Sequence, residues 1–180
     1  MHAPTPGDLA TTMTIPTPEL AWIPLLPLAA FALIILMGRR MGRLAAWLSV
    51  AARASSGMIV GALAPGVFRG DRLVHSWAWL SAADPRWSIG FVVDGLSWLM
   101  LMIVTAIGTM IQLYSIGYMH DDPRVSRFFA YLSLFCASML TLGLADHFVL
   151  LYAGWELVGL CSYLLISFWF EKPAAAAAGR

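Results

Sequence analysis

Five stretches of this chain are apolar for long enough to cross a bilayer as helices, which takes about 20 residues. They are Leu20–Met37, Leu44–Ala64, Leu96–Tyr114, Phe128–Ala145 and His147–Phe170. The first is stopped by the basic turn "GRRMGR", and the second is the weakest because Arg53 falls at its centre. Only a short turn around Asp146 separates the last two, which predicts an antiparallel helical pair. Between the second and third spans, "HSWAWL" and "RWSIGFVV" partly alternate apolar with other residues around Asp84-Pro85, the pattern of a β-hairpin. Its Trp77, Trp79 and Trp87 suit the bilayer interface, where amphipathic rings collect.

The pattern therefore predicts an all-α membrane protein of about five spans with a short hairpin between helices 2 and 3. Its segments are an extramembrane tail at 1–19, helices 1–2 at 20–68, the hairpin loop at 69–93, helices 3–5 at 94–170, and 171–180. The first eighteen residues hold four prolines and no Lys or Arg, so they lack the basic start of a signal peptide. The first span is read as retained. In "EKPAAAAAGR", Lys172-Pro173 ends the fifth helix and the alanine run opens what reads as a sixth, so the end is expected to be truncated.

Composition agrees. Hydrophobic residues make up 60% of the 180 and charged ones 12%, against about 25% charged in soluble domains. Lys plus Arg (11) nearly cancels Asp plus Glu (10), so no basic surface calls for nucleic acid. Seven cations follow spans one, three and five: Arg39, Arg40, Arg43, Arg124, Arg127, Lys172 and Arg180. Only Arg69, Arg72 and Arg86 stand opposite, which predicts an external N-terminus and a cytoplasmic C-terminus. The Ala- and Arg-rich wording points to a bacterial inner membrane. Cys136 and Cys161 lie in apolar runs and read as small buried hydrophobes. No Walker loop, GxGxxG, HExxH or CxxC is present, so no metal or cofactor site is expected.

One residue raises a chemical question. In "LLYAGWELVGLCSYLLISFWF", Glu156 is the single charge, roughly 14 Å along its helix. A carboxylate at that depth costs roughly 2.5–3.5 kcal/mol and is too short to snorkel out. Tyr152, Glu156, Gly159, Tyr163 and Ser167 share one helical face, hydrogen-bonding groups beside a glycine that admits a close neighbour. Two readings stand: a proton-relay or ion-path carboxylate facing the protein interior with a cationic partner, or a paired acid that fixes packing. Arg53 is the one cation at the centre of a span. It reads either as a snorkelling side chain or as that partner. On the fourth helix Ala130, Ser133, Ala137 and Thr141 form a small-residue face for packing, with Ser133 and Thr141 as secondary candidates to hold water beside the fifth helix. Asp94 reads as a helix cap, and Asp146 and His147 as residues of a solvated turn. His120, with Asp121 and Asp122, is a further candidate as a proton-gathering group at the channel mouth.

Three strings carry a family likeness: "FVVDGLSWLMLMIVTAIGTMIQLYSIGYM", "SRFFAYLSLFCASMLTLGLAD" and "LLYAGWELVGLCSYLLISFWFEKPAAAAA". They resemble the N-terminal part of subunit L, or ND subunit 5, of proton-pumping NADH–quinone oxidoreductase, respiratory complex I. The likeness covers about Trp77 to Ala178; residues 1–76 match in pattern only, and Arg53 departs from it. It implies an antiporter-like subunit in which Glu156 pairs with a lysine on a later helix to move H⁺ (or Na⁺). NAD, FMN, iron–sulfur clusters and quinone would then belong to other subunits, with antiporter-like membrane neighbours and lipid as partners. Subunits of Mrp-type cation/proton antiporters, membrane-bound hydrogenases and inorganic-carbon uptake complexes are similar. A reading of another class is a non-transporting membrane scaffold.

Overall fold

Each apolar stretch winds into a helix, because a chain in hydrocarbon must satisfy its backbone polar groups internally. The computed structural model describes residues 14–78 and 88–178. It places α1 at Trp22–Met37, α2 at Leu44–Ala62, a short α3 at Ala64–Phe68, α4 at Gly95–Tyr118, α5 at Val125–Leu144, α6 at Phe148–Ile166 and a short α7 at Pro173–Ala178. Five helical segments, α1, α2 with α3, α4, α5 and α6, are long and apolar enough to cross a membrane. The chain is a multi-pass membrane protein. Its large apolar side chains also face outward, among them Leu36, Met58, Met110 and Trp155, as a surface solvated by lipid requires.

The predicted hairpin is present. Strand β2 (Arg72–Ala78) pairs antiparallel with β3 (Ser88–Val93), Leu73 opposite Val93. Asp84-Pro85, Trp79 and Trp87 lie outside the described residues. A third strand, β1 (Thr14–Pro16), runs parallel to β2; three residues are too few to show an alternation in sequence. The helices run back and forth between this sheet end and a basic end that carries Arg40, Arg43, Arg124 and Arg127. At the basic end α1 turns into α2 through Gly38 and Gly42, both at positive φ (53° and 47°) where a side chain would be strained.

α5 occupies the middle. It packs against α1, α2, α4 and α6, and its Ala130, Ser133 and Ala137 are buried, so the small-residue stripe serves close packing as predicted. Leu20, Ile23, Val60, Leu73, Val93, Leu101, Leu140 and Leu144 form the core at the sheet end. Met119, Phe129 and Phe168 anchor a second cluster at the basic end.

Many polar groups in the interior are paired locally. Pro27 lies inside α1 and has no N–H for the Ile23 carbonyl one turn earlier; Ser56 of α2 donates its hydroxyl to that oxygen at 2.7 Å. Trp98 of α4 donates its indole N–H to Val60 O near the end of α2 at 2.9 Å. Thr105, Thr109, Ser115, Ser138, Thr141 and Ser162 each donate to the carbonyl four residues back.

The α5–α6 turn, where Asp146 is exposed as expected, is also tied to the sheet. Gly90 N–H donates to Asp146 Oδ1 at 3.1 Å, and Asp146 N–H donates to Gly90 O at 3.2 Å. His147 caps α6, its Nδ1 accepting from Val149 N–H at 3.1 Å. Both residues thus hold structure that their polarity alone does not reveal. Asp94 caps α4 as expected, its Oδ1 accepting from Ser97 N–H at 2.8 Å. That backbone hydrogen bond holds its carboxyl below the ordinary carboxylate range, against a smaller opposing effect of burial.

α6 meets α5 through Gly154, where an added Cβ would lie 3.1 Å from the backbone nitrogen of Leu142. Backbone on both sides cannot yield cheaply. Gly154→Ala should therefore lower the melting temperature of the detergent-solubilised chain, with a cost of about 1–3 kcal/mol. Gly159→Ala, whose Cβ position is open, should raise it slightly, since alanine is favoured over glycine in a helix by roughly 1 kcal/mol.

Candidate functional site

Helix α6 buries one side and leaves the other bare. Gly154, Cys161 and Phe168, seven residues apart, are buried. Glu156 is two positions beyond Gly154, about 200° around the helix, and it is exposed, as are Tyr152, Gly159 and Tyr163. The predicted polar face therefore exists as one surface, but it lies on the outside of these helices instead of in their interior. Tyr152 interacts through its hydroxyl with the Glu156 carboxylate one turn on. Ser167 caps the end of α6, and its Oγ, which has no protein hydrogen-bond partner, borders a cleft of about 240 Å³ with Tyr163, Tyr131 and Arg127. Glu156 is the only acid in the five long helices. Among the described residues it makes no ion pair.

Neither reading of Arg53 holds. It does not snorkel, being only 4% exposed, and it does not reach Glu156, because α5 stands between α2 and α6. Its guanidinium donates to Leu132 O of α5 at 3.3 Å, lies within reach of the Cys136 thiol, and fills the notch left by Gly108 of α4. A Cβ there would come within 2.9 Å of Arg53 Cζ and closer still to Nη1. One turn along, Gln112 of α4 is fully buried and donates Nε2–H to Ser49 Oγ at 2.8 Å. Ser49 Oγ in turn lies 2.6 Å from Ser133 Oγ and 3.3 Å from Phe129 O. One turn the other way Gly57 meets Thr105, with a Cβ position 3.2 Å from Thr105 Cβ. The three rungs Ser49–Gln112, Arg53–Gly108 and Gly57–Thr105 form a ladder between antiparallel α2 and α4, with α5 closing one side.

Sequence reasoning misses this ladder. Its one available signal is the 3–4–3 spacing of Thr105, Gly108, Gln112 and Ser115, which puts small and polar residues on one helix face. Ser133 belongs to the ladder, bonded to α2 rather than beside α6, and Thr141 spends its hydroxyl on Ala137 O. His120 sits exposed at the basic end, with Nε2 2.6 Å from Arg43 Nη2 and Nδ1 2.8 Å from Asp121. No cluster of three or more His, Cys, Asp or Glu able to hold a metal occurs among the described residues.

The comparisons with known proteins fall on the same elements. Residues 79–129 match the family described as NADH-ubiquinone oxidoreductase (complex I), chain 5 N-terminus. Residues 145–180, which hold α6 and Glu156, match the one described as NADH:quinone oxidoreductase/Mrp antiporter, TM. NADH-quinone oxidoreductase subunit L of Mycobacterium tuberculosis is 43% identical over 161 residues, 86% of this chain and 25% of that protein. The chain belongs to the complex I chain 5 (subunit L) family. F(420)H(2) dehydrogenase subunit L of Methanosarcina mazei is 42% identical over 160 residues, 88% of this chain and 23% of that protein. The chain thus spans a quarter or less of the length of the curated relatives it matches. Among solved structures, a chain of the Mrp complex from Dietzia sp. DQ12-45-1b aligns with a TM-score of 0.66 at 30% identity, covering 83% of this chain and 16% of that one. A chain of the archaeal membrane-bound sulfane sulfur reductase shares the fold at TM-score 0.68 and 22% identity, over 82% of this chain and 23% of that one.

At the basic end of this family member, the α4–α5 loop is clasped to the end of α6. Trp169 donates its indole N–H to Asp122 Oδ2 at 2.9 Å, and Arg124 N–H donates to Asp122 Oδ1 at 2.8 Å. Arg124 also pairs with Glu171 at 3.1 Å and lies over the Phe168 and Phe170 rings. Burial alone would raise the Asp122 carboxyl, but the Trp169 and Arg124 bonds together hold it below its ordinary value of 3.8. The clasp is therefore fully present above pH 3.8 and is lost as pH falls through the lower folded value. Asp122→Asn should lower the melting temperature at neutral pH, and the gap to the unmodified protein should narrow in a thermal-unfolding series as the pH is taken below 3.8 through the lower folded value. A gap that stays constant with pH would mean that the charge of Asp122 contributes nothing to the clasp.

Proposed function

We propose that the chain serves in a membrane subunit of a proton-translocating NADH–quinone oxidoreductase and that Glu156 is its intramembrane ion-pair carboxylate. The carrying observation is the bare polar face of α6, Tyr152, Glu156, Gly159 and Tyr163, with the only acid of the long helices and no cation beside it. A carboxylate cannot rest against lipid at mid-helix without a cost of roughly 2.5–3.5 kcal/mol. The face is therefore covered by protein in the assembly, by helices of the kind that the much longer relatives have room for. A lysine presented from such a helix would favour ionised Glu156, and moving it away would favour the protonated carboxyl. A small movement of that lysine would then load or release a proton. Tyr152 supports the carboxylate by its interaction one turn away, and Gly159 lets the covering helix approach. The chain itself carries out no electron transfer in this reading; its partners are the other membrane subunits, and its ion is H⁺. The basic end faces the cytoplasm of a bacterial inner membrane, as the excess of Arg and Lys there supports.

A second reading, a subunit of a Mrp-type cation/proton antiporter, draws on the 30% identity to the Dietzia Mrp chain. It keeps Glu156 in the same role and changes the complex that drives it. In the assembled complex reconstituted into vesicles, Glu156→Gln should abolish most proton translocation, because an amide neither ionises nor carries a transferable proton, with assembly and electron transfer from NADH to quinone retained. Unchanged translocation would leave only a scaffold role. Sodium-driven translocation without NADH oxidation would favour the antiporter.

A further inference from the structure

We propose that one buried water molecule bridges Arg53 Nε and Gln112 Oε1 at the junction of α2, α4 and α5. Arg53 is 4% exposed and Gln112 fully buried, and these two atoms have no protein hydrogen-bond partner. They are complementary, one a donor and the other an acceptor. The ladder sets them on adjacent rungs, because Arg53 fills the Gly108 notch and Gln112 follows Gly108 by one turn. Gln112 stands four residues, about 6 Å of helix rise, from Gly108, and the two side chains meet between neighbouring rungs, where one water accepting and donating at about 2.8 Å each joins them.

The chemistry selects water over other occupants. A halide would satisfy the guanidinium and leave the Gln112 oxygen unpaired beside an anion. A metal cation would suit that oxygen and be repelled by Arg53. A carboxylate from a neighbouring subunit cannot reach a side chain so deeply enclosed. Gln112 is oriented by its donation to Ser49 Oγ, which leaves its carbonyl oxygen for the water. Hydroxyl, amide, water and guanidinium then form one connected network from Ser133 through Ser49 and Gln112 to Arg53 and Leu132 O. The network holds the guanidinium in place and ends there.

The test is a double-mutant cycle in the full chain, purified in detergent, with Arg53→Met, Gln112→Leu and the pair together, read by thermal unfolding. The two residues share no direct bond, so the bridge predicts that the double variant loses about 2–4 °C less than the sum of the single losses. Replacing chloride by gluconate should leave every melting temperature unchanged. Additive losses would overturn the bridge, and a melting temperature that rises with chloride or bromide would replace water with an anion. Should the variants fail to insert, density of the unmodified protein at a resolution that shows waters decides the matter. A peak about 3 Å from both Arg53 Nε and Gln112 Oε1 supports the bridge; direct closure of the two side chains on each other overturns it.

Discussion

Charge inside hydrocarbon governs this chain, because nothing in the bilayer core will solvate it and the protein must. The long helices place two charges near mid-span, Arg53 and Glu156, and treat them in opposite ways. Arg53 is enclosed by three helices, with a glycine notch, a carbonyl and a polar ladder built around it. Glu156 is displayed on the bare face of α6, where only Tyr152 supports it. An enclosed cation is committed to one structure. A displayed anion is available to another.

The same demand organises the rest of the interior. A proline in α1 leaves the Ile23 carbonyl without its helical donor, and Ser56 of α2 supplies one. Hydroxyls along α4, α5 and α6 turn back on their own helices. Each satisfied group permits tight helix contact, and α5, lined with alanine and serine, lies at the centre. At the sheet end Gly90 and Asp146 hold the α5–α6 turn; at the basic end Asp122, Trp169 and Arg124 hold the other extremity of α6. α6 is thus fixed at both ends and packed along one side, a rigid support for the face that carries Glu156.

Several features are legible in the residue pattern. Runs of about 20 apolar residues can satisfy themselves in lipid only as helices, so the five spans and the short α5–α6 turn follow from pattern. Alternation reveals the β2–β3 pair, and the cap at Asp94 is readable because a carboxylate before an apolar run has few other uses. The shared face of Tyr152, Glu156, Gly159 and Tyr163 comes from helical period alone. Strand β1 is too short to leave a signal. Asp146 and His147 look solvated in the sequence, since a polar turn residue reads the same whether water or a neighbouring strand takes its hydrogen bonds.

By itself, then, the order of residues determined which segments enter the membrane and which side chains share a helical face, since both depend on local spacing and the poor solvation of charge by lipid. Only the tertiary structure decided where those faces turn. It sent Arg53 inward to Gly108 and Leu132, away from Glu156, and left the Glu156 face uncovered. The reason is that a helix's rotation about its own axis is set by the neighbours it packs against: here a glycine on α4, the backbone of α5 at Gly154, and two clasps far apart in sequence.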